Sequence, residues 1–137
     1  MSKQLTKNFN LSEFRCKDGT DVPDEYMENV EKLATNLQVL RDHIGMPIVV
    51  ISGYRSPKYN RRIGGAKKSQ HMLAKAADIK VKGMHPDQVR NEILTLIKQG
   101  KMATGGVGRY TTFTHYDVRG WNARWSGSGV KDDTKST

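Results

Sequence analysis

With a single cysteine, Cys16, the chain can close no disulfide within itself, so its fold cannot depend on one. A nucleophilic cysteine would want a histidine brought beside it by the fold. Cys16 sits instead in the polar turn "CKDGTD", and a structural role is expected. Long apolar runs are also missing: none approaches the roughly 20 residues that span a bilayer. The N-terminal "MSKQLTKNFNLSEF" lacks the apolar core of a signal peptide. The expectation is synthesis in the cytoplasm, with outside help for any export. There are no internal repeats. Acidic residues are scarce, 14 against 23 Lys and Arg, a formal net charge of +9. That balance predicts attraction to polyanions: nucleic acid, anionic membrane or anionic envelope polymers. It does not choose among them. The cations are scattered, in "KYNRR", "KKSQ" and "RGWNARW", and no nucleic-acid motif accompanies them.

What is present fits one globular domain: 137 residues, 36% hydrophobic and 27% charged. "NLSEF" reads as a short helical turn capped by Asn10 or Ser12. A helix is predicted over 23–44, where Met27, Val30, Leu33, Leu37, Leu40 and Ile44 recur at steps of three or four. Pro23 suits its first turn and Gly45 its end. "PIVVIS" reads as a buried strand over 47–52. Ser56 and Pro57 open a short helix that Gly64 and Gly65 close. "AKKSQHMLAK" reads as a loop, and a strand follows over 76–82. Another helix carries Val89, Ile93, Leu96 and Ile97 inward and ends at Gly100. "GGVGRY" and "FTHYDVRG" suggest a hairpin. Residues 1–125 would form the folded domain and 126–137, "SGSGVKDDTKST", a flexible tail. This order predicts an α+β domain: a small, mostly antiparallel sheet with helices packed on one face, expected to be monomeric.

Of the four histidines, His43 ends a helix, where a cation suits the dipole, and His85 reads as a cap. His71 and His115 differ. His71 lies in a loop just before a strand that contains Asp78, and a carboxylate among small apolar neighbours needs a partner. In "FTHYDV" the alternation places Phe113, His115 and Asp117 on one face and Thr114, Tyr116 and Val118 on the other. Two polar groups on one face of a central strand mark a local conflict of the kind found at sites. Two imidazoles and a carboxylate suit catalytic Zn2+, with a fourth position left for water. The competing reading is a surface histidine, a strand aspartate paired with a lysine, and an unrelated second histidine.

"SQHMLAKAADI" resembles the Ser-x-His-x-x-Gly-x-Ala-x-Asp signature of zinc D-alanyl-D-alanine carboxypeptidases and their L-alanyl-D-glutamate endopeptidase relatives. These are peptidoglycan hydrolases, many of them bacteriolytic phage endolysins. "PIVVISGYRSPKYNRRIGGAKKSQH", "FTHYDVRG" and "FNLSEFRCKDG" resemble the flanking segments, so the likeness covers nearly all of residues 8–125. The resemblance implies a zinc metallopeptidase degrading the cell wall, with His71, Asp78 and His115 as metal ligands. Ser69 and Arg55 would serve the substrate side, Ser69 by holding its loop and Arg55 by binding a peptide carboxylate. Two departures stand out. The signature glycine is Ala74, acceptable if its φ stays negative. Where several relatives place an acidic general base, three positions before the second histidine, this chain has Thr112. Asp117 is then either the base, taking a proton from the attacking water, or a carboxylate that orients His115. Glu92 or an N-terminal acid would be a third source. Loss of the base would leave a catalytically impaired, zinc-containing wall-binding module. Trp121 and Trp125 are expected to pack in the core, with groove lining as the other reading; Tyr110 and Arg119 are further groove candidates.

Overall fold

The structure, a computed structural model, describes residues 3–127. Helix α1 spans Met27–Ile44, α2 Pro57–Arg62 and α3 Pro86–Lys98. The strands are β1 Ile48–Ser52, β2 Ala76–Val81, β3 Gly106–Arg109, β4 Thr114–Asp117 and β5 Ala123–Ser126. They form one sheet in the order β1-β2-β4-β3-β5, antiparallel throughout except for β3 with β5. The α+β architecture is as expected.

The apolar spacing builds the helices as predicted. Val30, Leu33, Leu37 and Leu40 of α1 and Val89, Ile93 and Leu96 of α3 are buried in one core. The first turn expected at Pro23 is a separate 3-10 turn, Asp24–Tyr26, which Pro23 caps. Gly45 ends α1 in the left-handed conformation. Ser56 caps α2 with Pro57 in its first turn, and His85 caps α3. His43 bonds Glu92 across α1 and α3 at 2.8 Å, which engages Glu92 in joining two helices.

Alternation divides the sheet into two faces. Ile79, Tyr116 and Val107 join the core under α3, where the Thr114 hydroxyl donates to Pro86 O. Asp78, His115, Gly108 and Trp125 stand on the opposite face. They are paired in register, Asp78 with His115, His115 with Gly108 and Gly108 with Trp125, and so make one row across four strands.

Further expectations need correction. Strand β1, read as buried, lies at the sheet edge, where only Ile48 is buried and Val49 is 55% exposed. The 66–75 loop contains a 3-10 turn, Gln70–Leu73, capped by Ser69. Ala74, which follows it, has φ 57°, not a negative φ. The left-handed residue turns the chain into β2 while the Ala74 and Lys75 amides donate to His71 O and Gln70 O. Strand β5 was not foreseen, and Ser126 still belongs to it. The rest of the expected tail, 128–137, lies outside the described residues. Cys16 is buried, its sulfur accepting from the Ser56 amide at 3.4 Å, in keeping with a structural role.

Candidate active site

Three short segments converge on Asp78. The 3-10 turn behind Ser69 delivers His71, β2 supplies Asp78, and β4 places His115 opposite it. Ser69 Oγ accepts from the His71 amide at 3.2 Å, so this serine does hold the loop. Asp78 Oδ1 lies 3.3 Å from His71 Nε2 and 3.0 Å from His115 Nδ1. All three side chains are buried, and one ligand atom from each lies within 4.8 Å of the others, so they could hold a metal ion. Among the described residues this is the metal-capable group of such side chains.

The far nitrogen of each ring is fixed. His71 Nδ1 is 2.8 Å from Gly53 O, so it carries the proton and leaves the Nε2 lone pair facing Asp78. His115 Nε2 is 2.7 Å from Asp117 Oδ2 and donates to it, which turns Nδ1 toward Asp78. Asp117 is fully buried, and its other acceptor positions are taken. Oδ1 accepts from the Gly106 amide at 2.8 Å, the Arg119 amide at 3.1 Å and Arg119 Nε at 2.9 Å. Oδ2 also accepts from Arg119 Nη2 at 2.8 Å.

Burial would raise both carboxyl pKa values, but hydrogen bonds from the histidines, and for Asp117 from Arg119, hold them well below the usual range. The imidazoles diverge. Burial lowers the His71 pKa, and Asp78 offsets it only in part. Burial also opposes charge on His115, but its bonds to Asp117 and Asp78 outweigh it and raise the pKa.

Arg55 lies beside the cluster, its Nη2 3.2 Å from Asp78 Oδ2. Its Nε donates to Ser52 Oγ at 3.3 Å and its Nη1 to Asn60 Oδ1 at 3.4 Å. On the other flank Trp125 leans over Gly108 onto His115, with ring centroids 4.9 Å apart. A Cβ on Gly108 would stand 2.6 Å from Trp125 Cε2, so only glycine admits the indole here. Trp125 Nε1 donates to the Tyr110 hydroxyl at 2.9 Å, and Tyr110 stacks on Phe113 at 4.3 Å. Core packing does not describe the tryptophans. Trp121 is 59% exposed, and Trp125 is half-buried above the site. Arg119 lies over both, 5.8 Å from the Trp121 ring and 5.2 Å from that of Trp125.

Sequence reasoning missed Gly53 O, the Arg119 clamp and the contact of Trp125 with His115. The Asp-x-Arg spacing of Asp117 and Arg119 was a visible signal for the clamp. The other two depend on strand register and on the turn that carries His71.

Two imidazole nitrogens and a carboxylate, each oriented from behind, form a group that could hold a metal ion through N and O ligands. Residues 3–117 match the family described as Peptidase M15, and the chain belongs to that family. Its members are zinc peptidases, so this protein is a zinc metallopeptidase acting on a peptide substrate. No curated protein matches the chain at a significant level. Among the described residues no helix is long and apolar enough to cross a membrane.

Proposed function

We propose that this metallopeptidase hydrolyses the peptide of bacterial peptidoglycan, with zinc held by His71, Asp78 and His115. One observation carries the ligand assignment: each imidazole has its far nitrogen tied to the protein and its near nitrogen turned on Asp78. The donor set fits zinc. Bound zinc would polarise the scissile carbonyl and make a water acidic enough to attack it.

The chain's own residues set the geometry. Gly53 O fixes the His71 tautomer, and Arg55 holds the second oxygen of Asp78. Asp117 acts as the carboxylate that orients His115, not as the base. It bonds the ring nitrogen that faces away from Asp78, and its donors leave no lone pair for a water. Thr112, at the position where relatives carry an acid, is exposed in the turn between β3 and β4.

The biological role we assign is that of a phage endolysin. Its net charge of +9 would draw it to anionic envelope polymers. The bond is either L-Ala–D-Glu, as in the endopeptidase relatives, or the D-Ala terminus, as in the carboxypeptidases. Zinc-loaded protein on purified peptidoglycan should release products whose masses decide. New amino-terminal glutamate marks the endopeptidase, and loss of one alanine marks the carboxypeptidase. Release of neither would refute the proposal.

A further inference from the structure

Beside the metal-capable cluster lies a cavity of about 590 Å³ lined by Pro57, Asn60, Arg61, Gly65, Lys67 and Met72. That is the size range of ligand pockets. It adjoins the cluster: Met72 follows His71, and the Asn60 side chain bonds Arg55, which bonds Asp78. Gly65 lets the 63–69 loop close over this pair, since a Cβ there would collide with the Asn60 side chain and stand 3.2 Å from Arg55 Nη1. The wall is one-signed. From His43 to Ala77 the chain has no Asp or Glu, yet it carries Lys58, Arg61, Arg62, Lys67 and Lys68 in this stretch. Arg61 and Lys67 are exposed and, among the described residues, neither forms an ion pair. Arg55, by contrast, directs three of its nitrogens at Ser52, Asn60 and Asp78.

We propose that this cavity is a substrate subsite in which Arg61 and Lys67 bind a free carboxylate of the peptide on one side of the scissile bond, while Arg55 positions Asp78. The proposal rests on the peptidoglycan reading above and deepens it. It assigns anion recognition to two residues outside the metal-capable cluster, and it makes the preferred substrate a peptide with an unblocked carboxylate near the cut. Two cations on flexible stems flanking an apolar floor of Pro57 and Met72 suit an acidic residue with a short aliphatic stem.

The test compares R61E/K67E with K98E/K101E, an equal charge reversal at the far end of α3, on native peptidoglycan and on peptidoglycan whose carboxylates have been amidated. Hydrolysis rate and co-sedimentation with the wall are both read. On native wall R61E/K67E should raise the half-saturating substrate concentration about tenfold or more, as expected for losing hydrogen bonds to a charged group. Its maximal rate and zinc content should hold. K98E/K101E should change little. Amidation should weaken wild type and leave R61E/K67E no worse than before. Equal losses in the two double variants, or an unchanged R61E/K67E, would overturn the subsite, as would an amidation penalty undiminished in R61E/K67E. Wild type that binds the wall through Arg61 and Lys67 yet cuts nothing would sink the peptidoglycan-hydrolase reading and leave the subsite standing.

Discussion

Asp117 has no solvent exposure and accepts hydrogen bonds from His115, Arg119 and the Gly106 amide, so it is already committed before substrate arrives. If it orients His115, Asp117→Asn should weaken zinc affinity about 10–100-fold, with activity recovered by excess zinc. If it were the base, turnover would fall by orders of magnitude with zinc still bound. Zinc content measured beside activity separates the two. Ala74 makes a second residue-level prediction. It is an L-residue held at φ 57°, where the signature of its relatives has glycine. Ala74→Gly should stabilise the protein by about 1 kcal/mol through relief of left-handed strain. A lower thermal midpoint in the variant would count against the strain. At this scale the sequence was informative about identity and poor about conformation. The letters of "SQHMLAKAADI" named the cluster, but the sign of φ at Ala74 depends on how the turn enters β2.

Elements that bury a periodic stripe were legible. The three- and four-residue steps of α1 and α3 place Leu33, Leu37, Ile93 and Leu96 in the core as predicted. Strand β5 was not legible because its residues Ala123, Arg124, Trp125 and Ser126 are all half-buried and show no alternation. Its parallel pairing with β3 is long-range and cannot be read from local pattern. That pairing seats Trp125 over Gly108 and against His115. Gly108→Ala should therefore destabilise by about 1–3 kcal/mol through overpacking, and should shift the tryptophan emission as the indole is displaced. Unchanged stability and emission would mean that the seat is looser than the register implies.

For the whole molecule the linked quantities are metal, protons and stability. Asp78 and Asp117 have carboxyl pKa values depressed in the folded state. In the metal-free protein they contribute stability that is present above the unfolded carboxyl pKa of about 4 and lost as pH falls below it. The raised His115 pKa acts oppositely: its contribution is present below about 6.5 and lost as pH rises through the folded value. His71, with a lowered pKa, loses stability as pH falls below about 6.5 and so works against His115 there. With His115 as a zinc ligand, as proposed, the metal would compete with its proton, so zinc affinity should drop as the pH is lowered. A zinc affinity that rises on acidification would contradict this. Zinc at a thousandfold excess over its dissociation constant should add about 4 kcal/mol of stability, read as a fall in thermal midpoint on chelation.

The most direct test is bound zinc per chain in wild type and in His71→Ala, Asp78→Ala and His115→Ala, measured on folded protein beside the release of amino termini from peptidoglycan. The account predicts one zinc and hydrolysis in wild type, with both lost in each variant. A variant that stays folded, keeps its zinc and still cuts would show that the metal and the chemistry lie elsewhere.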